Sequence, residues 1–206
     1  MSSLPRSFYE TDDVVSIARS LIGKVLMHEH SDGITSGMII ETEAYSGTND
    51  KACHACNGRR TARTEVMYGE PGHSYIYLCY GIHHLFNVVT NRAGRADAVL
   101  IRALWPLKGM DIMQIRRGTR NLTGLCDGPG KLTQALAITT NLNGLSLTGG
   151  ALRIEDQGFQ TDQNAILQTP RIGIDYAEED AALPWRFLIS KPERSVSHPH
   201  RLLPDH

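Results

Sequence analysis

Tyr75-Ile-Tyr-Leu-Cys-Tyr80, Gly81-Ile-His83 and His84-Leu-Phe-Asn-Val-Val-Thr90 follow one another as strand, turn and strand. Both runs are rich in aromatic and β-branched residues, and a three-residue loop containing glycine joins antiparallel strands into a hairpin. Alternation sends Tyr75 and Tyr77 to one face and Tyr80 to the other. Working outward, Ala98-Val-Leu-Ile-Arg102 reads as the next strand. Upstream, residues 24–28 and 37–45 form an antiparallel pair about Ser31-Asp-Gly33, and further strands are expected over 152–155, 171–176 and 186–189. Helices are fewer. Val14, Ile17, Ala18, Leu21 and Ile22 recur at three- and four-residue spacing behind the cap Thr11-Asp-Asp13, and Gly23 closes that helix. Residues 107–117 and 129–138 are also expected to be helical, the second opened by Pro129-Gly130. The pattern is α+β.

Composition fits one globular domain over residues 1–206, with 41% hydrophobic and 21% charged residues. Residues 1–10 read as a loose leader and 197–206 as a surface tail, both peripheral. No run approaches a membrane span, and Met1-Ser-Ser-Leu-Pro-Arg6 lacks the apolar core of a secretory signal. An intracellular protein is expected, with Cys53, Cys56, Cys79 and Cys126 as thiols. The net charge of −1 hides an asymmetry: residues 51–131 hold 12 Lys and Arg against 5 Asp and Glu. Arginine dominates that stretch, and its planar fork suits phosphate. A solvated charged face and a polyanion site both account for it.

Four constellations could carry chemistry. In Glu41-Thr-Glu43-Ala-Tyr45, alternation puts Glu41, Glu43 and Tyr45 on one face with Ile39. Glu43, nearer the loop and flanked by Ala and Tyr, is the better candidate for a general base; a solvated strand end is the alternative. The hairpin tyrosines serve either as packing or as stacking platforms for bases, and one at the tip could wedge between base steps. Cys53-His54-Ala55-Cys56 resembles half of a zinc site whose other half is missing, so no metal is expected. Gly128-Pro-Gly-Lys131 opens a helix where backbone N–H groups and a lysine can hold a phosphate. Leu125 and Leu132 stand where a nucleotide-binding P-loop needs Gly and Ser or Thr, and no dinucleotide fingerprint or nucleophile elbow is found, so no cofactor is expected.

Taken in order, Ile40-Glu-Thr-Glu-Ala-Tyr45, Asp50-Lys-Ala-Cys-His54, Arg60-Thr-Ala-Arg63, Pro71-Gly-His-Ser-Tyr-Ile-Tyr77, Tyr80-Gly81, Asn87-Val-Val-Thr90, Val99-Leu-Ile-Arg-Ala103 and Gly128-Pro-Gly-Lys-Leu132 resemble the alkyladenine (3-methylpurine) DNA glycosylases. The resemblance spans residues 4–196, with eight separated motifs in the family's order. It implies a single mixed α+β domain: a curved antiparallel sheet, flanking helices and a hairpin inserted into the DNA minor groove. Residue by residue, it makes Glu43 the catalytic carboxylate and Arg102 the arginine beside the catalytic water and target phosphate. Tyr45, His54 and Tyr77 become the pocket around a flipped base, Asn87 the residue that screens purines, and Tyr80 the wedge that fills the vacated stack. Arg63 and Lys131 are the further DNA-binding candidates. Trp105 departs from the acidic residue expected in the family's Arg-Ala-x-x-Pro stretch, which bears on local surface contacts.

The implied enzyme is a monofunctional DNA glycosylase of base excision repair. It acts as a monomer on duplex DNA containing alkylated purines, with deaminated purines as a further class, and works inside the cell where the DNA is. Two other classes use some of the same residues. A damage-binding module needs the tyrosines and arginines but not Glu43. A metal-dependent hydrolase would use Cys53, His54, Cys56 and His83.

Overall fold

The computed structural model describes residues 2–190, so the expected tail at 197–206 lies outside the described residues. The longest strand, β3 (Gly33–Tyr45), is the spine of a curved antiparallel sheet. On one side it pairs with β6 (Asp97–Lys108). On the other, β2 (Val25–His30) takes its first half and β9 (Arg186–Leu188) takes Glu41, Thr42 and Glu43. Outside β6 lie β5 (His83–Thr90) and β4 (Ser74–Cys79), and outside β2 lie β7 (Leu152–Asp156) and β1 (Ser2–Ser3). A short strand, β8 (Leu167–Thr169), pairs with β9.

One face of this sheet is covered by helices. In α2 (Val14–Ser20), Asp13 caps the first turn by accepting from the Ser16 N–H at 3.0 Å, and Val14, Ile17 and Ala18 are buried. The Thr42 hydroxyl donates to the Ala18 carbonyl at 2.7 Å, so even the polar atom on this face of β3 is paired. α3 (Met110–Arg117) and α4 (Pro129–Ala135) complete the cover. Ile39, Ile76, Phe86, Val99, Ile101 and Leu132 belong to the resulting core, and each such side chain contributes roughly 1.5–3 kcal/mol by leaving water. Among the described residues no helix is long and apolar enough to cross a membrane.

Several sequence expectations need correction. Residues 2–10 are not a loose leader: Ser2 and Ser3 pair with Asp156 and Glu155, a four-residue helix, α1 (Arg6–Tyr9), follows, and Leu4 and Tyr9 are buried. The polar composition around them conceals two anchors into the core. The hairpin turn is Tyr80-Gly81-Ile82, because Cys79 pairs with His83. Tyr80 and Gly81 both have positive φ, 51° and 72°, which turns the chain in keeping with the twist of the strands. β6 runs on to Lys108, carried by its pairing with β3, and α3 starts only after Gly109 at φ 73°. Residues 171–176 are not a strand. Gly173 has φ 73°, Arg171 is buried, and the Ile172 N–H is spent on a side chain rather than a ladder.

Candidate active site

The opposite face of the sheet gathers the candidate site residues. Glu43 of β3 lies opposite Leu100 of β6, Leu100 opposite Asn87 of β5, and Asn87 opposite Tyr75 of β4. Four adjacent strands thus place one residue each in a single transverse row, which spans roughly 14 Å at ordinary strand spacing. Leu100, Asn87 and Tyr75 of the row line a cleft of about 420 Å3 together with Tyr45, His54, Arg63, Tyr77 and Arg102. That volume is within the range of small-molecule sites.

Two irregularities aim the acidic end of the row. Ile39 pairs with Leu104, Glu41 with Ala103 and Thr42 with Ile101, so Ile40 and Arg102 are left as extra residues in their strands. Bulges of this kind re-aim side chains beside functional sites. As a result Ile39 joins the helix-covered core together with Ala44, while Glu43 turns the other way with Tyr45. The expectation that Ile39 shares a face with Glu41, Glu43 and Tyr45 therefore fails at the bulge.

Glu43 is fully buried and receives three donors. Its Oε2 accepts from the Tyr45 hydroxyl at 2.8 Å and from Arg102 Nη1 at 3.2 Å, and its Oε1 accepts from the Ile172 N–H at 2.9 Å. Tyr45, Arg102 and Ile172 all line the cleft, so the carboxylate sits one hydrogen bond behind its wall. Burial and the Glu43 charge push the Tyr45 phenol far above its ordinary value, which keeps it a donor. Arg102 also gives its Nε to Glu41 Oε1 at 2.9 Å, and Arg186 Nε meets the same oxygen at 2.6 Å. Burial works against the Arg102 charge, but Glu43 and Glu41 outweigh it, so its pKa rises.

The aromatic end is built from β4 and the loops that pack on it. The His54 and Tyr77 rings meet edge to face at 4.8 Å, and His54 Nδ1 is 2.9 Å from the Tyr75 hydroxyl. Arg63 lays its guanidinium carbon 4.5 Å from the Tyr77 ring centre and puts Nη2 3.0 Å from His54 Nε2. The guanidinium is thus in contact with both the Tyr77 ring and the His54 ring. Desolvation, then Arg63 and Arg59, lower the His54 pKa to about 4. Asn87 is buried and donates to the Tyr75 carbonyl at 3.1 Å.

A segment that the sequence reading took for a strand supplies the remaining wall. Arg171 holds Asp50 through two bonds of 2.6 and 2.8 Å, stacks over Tyr45 at 4.8 Å, and sets Ile172 against Glu43. Ile174 packs with Ala52, and Tyr176, largely exposed at the cleft mouth, donates to the Ala52 carbonyl at 3.1 Å. Arg171, the Ile172 N–H and Tyr176 were missed from sequence. The alternating run Arg171-Ile-Gly-Ile-Asp-Tyr176 imitates a strand, and a backbone N–H leaves no mark in residue identity.

A family model described as methylpurine-DNA glycosylase matches residues 7–193. The chain belongs to the methylpurine-DNA glycosylase family. It is a DNA glycosylase, a hydrolase of DNA repair. This glycosylase is 51% identical over 189 residues to a Chlamydia felis protein assigned as a 3-methyladenine DNA glycosylase, covering 91% of this chain and 96% of that protein. A protein from Desulfitobacterium hafniense with the same assignment is 45% identical over 197 residues, covering 92% and 96%.

Three expected residues stand apart from the cleft floor. Tyr80 is at the hairpin tip and 92% exposed, with Ile82 beside it at 70%. Lys131, exposed at the start of α4, pairs with Asp127 at 2.9 Å, and the nearby Gly130 packs so closely on His83 that a Cβ there would lie 3.0 Å from its ring. Trp105 lies on β6 opposite Met38, away from the cleft. The Cys53 thiol points to the Ala96 carbonyl at 3.8 Å and burial pushes its pKa up to about 12. Among the described residues no group of three His, Cys, Asp or Glu is gathered for a metal.

Proposed function

We propose that this glycosylase takes 3-methyladenine and other alkylated purines out of duplex DNA by flipping them into the cleft, with deaminated purines as a further class. A water activated by Glu43 hydrolyses the N-glycosidic bond and starts base excision repair. The observation that carries this reading is the position of Glu43: fully buried, held by three donors, directly behind the wall of an aromatic cleft. A paired base is out of reach of such a cleft and has to leave the stack first.

Tyr80 and Ile82 fit the role of a wedge, since a wholly exposed aromatic and an aliphatic side chain on a tight turn serve no core. With the base seated, cleavage passes through an oxocarbenium-like sugar, and the Glu43 charge stabilises it while accepting a proton from water. Among the described residues Oε1 receives only the Ile172 N–H, which leaves an acceptor site for that water. Alkylated purines already carry positive charge, leave readily and stack well on tyrosine.

Water is a better nucleophile here than lysine. Lys51, on the loop before His54, is bound by Glu178 at 2.5 Å and Glu179 at 2.7 Å, and these bonds raise its pKa, so its amine stays protonated. The product is then an intact abasic strand. The enzyme works as a monomer on the cell's DNA, drawn to it by the basic 51–131 stretch.

The test is incubation of the protein with duplex oligonucleotides that each carry one defined lesion, with detection of the released base. Release of alkylated purines, insensitive to chelator and without an adduct trapped by borohydride, is expected. Binding without release would point instead to a damage-recognition module, and loss of release in chelator to a metal hydrolase.

A further inference from the structure

The corner where the His54 and Tyr77 rings meet edge to face, 4.8 Å apart, already contains a planar cation. Arg63 lies over the Tyr77 ring at 4.5 Å, and its Nη2 is within 3.0 Å of one His54 nitrogen and 3.4 Å of the other. An atom in line with the lone pair of one ring nitrogen would lie much farther from the other, so this atom rests against the ring rather than at one edge. Among the described residues, Arg63 has no carboxylate within ion-pair distance, unlike Arg60, Arg102 and Arg116. The cation is held by aromatic faces and a neutral histidine.

We propose that Arg63 is a self-blocking placeholder: its guanidinium fills the aromatic corner of the empty enzyme, and an incoming base has to displace it. The inference rests on the base-flipping reading above and deepens it. A flat, electron-poor, positively charged purine makes the same contacts with Tyr77 that Arg63 makes, so exchange costs it little. A neutral purine gives weaker electrostatic attraction to the ring face and competes poorly. Once displaced, the guanidinium, which has no carboxylate partner among the described residues, is free to meet a DNA phosphate, for which its fork is suited. The same side chain thereby holds every base back by one factor, so that only a base with strong intrinsic attraction to the Tyr77 face is retained.

A ligand that must first displace an occupant binds more weakly by the fraction of time the site is free. Arg63→Ala should therefore bind free 7-methylguanosine, a cationic purine nucleoside, roughly 3- to 30-fold more tightly than the parent in a tyrosine-fluorescence titration. The preference for excising 7-methylguanine over hypoxanthine should stay unchanged, because displacing Arg63 costs both bases the same. Arg63→Lys, which keeps the charge but not the plane, should match Arg63→Ala for the nucleoside and match the parent for duplex affinity at low salt.

Equal or weaker nucleoside binding by Arg63→Ala would overturn the proposal and make Arg63 a fixed wall. As a check needing no substitution, the Arg63 Nε–H NMR signal of the parent should shift on titration with 7-methylguanosine, and an unmoved signal in saturated protein would equally overturn it. A parent that excises nothing while the binding differences persist would refute the glycosylase reading and leave the placeholder standing.

Discussion

Two buried arginine–carboxylate pairs flank Tyr45, and they are built differently. Asp50 and Arg171 are both wholly buried and joined by two bonds, with the Arg171 guanidinium also bonded to the Ala44 and Asp180 carbonyls and stacked on Tyr45 and Trp185. Glu43 and Arg102 share a single bond of 3.2 Å, Arg102 is divided between two carboxylates, and its side chain faces the cleft. The first pair is shut away from solvent, with Arg171 Nε its one donor without a partner among the described residues, and staples the loop around Asp50 to the segment after Arg171. The second keeps one edge toward the space where a substrate would lie. On the function proposed above, the enclosed pair is a fastener and the one that faces the cleft a reactive centre.

The largest effect should come from opening the closed pair. Asp50→Ala strands a buried guanidinium, so denaturant unfolding should show a loss of about 3–5 kcal/mol. A loss under about 1 kcal/mol would show that Arg171 finds solvent easily and that the pair is no fastener. The open pair should behave in the opposite way. Glu43→Gln keeps shape but removes the charge and the base, so excision should fall at least about 100-fold while damaged duplex still binds. Near-normal turnover would end the distinction between the two pairs.

A third variant lies outside both pairs. Tyr80→Ala should weaken duplex binding by roughly 1–3 kcal/mol without touching the melting temperature. If lesions in duplex are cleaved as fast as by the parent at low enzyme concentration, the tip is not a wedge.

The smallest effect concerns protons. The pKa of His54 is lowered to about 4 from the ordinary 6.5, so the unfolded chain takes up a proton there that the folded state refuses. Its contribution to stability is full above about pH 6.5 and declines as pH falls toward 4. An NMR titration of the ring should place its midpoint near 4, and Arg63→Ala should move it upward. A midpoint near 6.5 in the parent would contradict the crowded, cationic setting described here.

Much of this was legible in the sequence because it is periodic or local. The hairpin, the pairing of β2 with β3 and the N-cap of α2 follow from alternation, turn residues and Asp13. Glu43, Tyr45, His54, Tyr77, Asn87 and Arg102 came from motif order, and the sheet brings them to one place. The bulges at Ile40 and Arg102 were not legible, since an extra residue in a strand resembles any other. Nor was the Asp50 to Arg171 contact, which joins residues 121 positions apart. Tyr9 was lost for another reason: it is one of three apolar residues in a polar stretch, too few to make a period.

The row Glu43, Leu100, Asn87 and Tyr75 sets what kind of change this enzyme tolerates. Each member comes from a different strand, and a slip of one residue in any strand turns its member to the far face. Insertions in the connections that leave the strands in register cost little, whereas a single codon gained or lost within β3, β4, β5 or β6 takes the row apart while the chain keeps nearly its whole composition. Divergence among such enzymes should accordingly be recorded in substitutions and loop lengths, with the strands counting residues like a ruler.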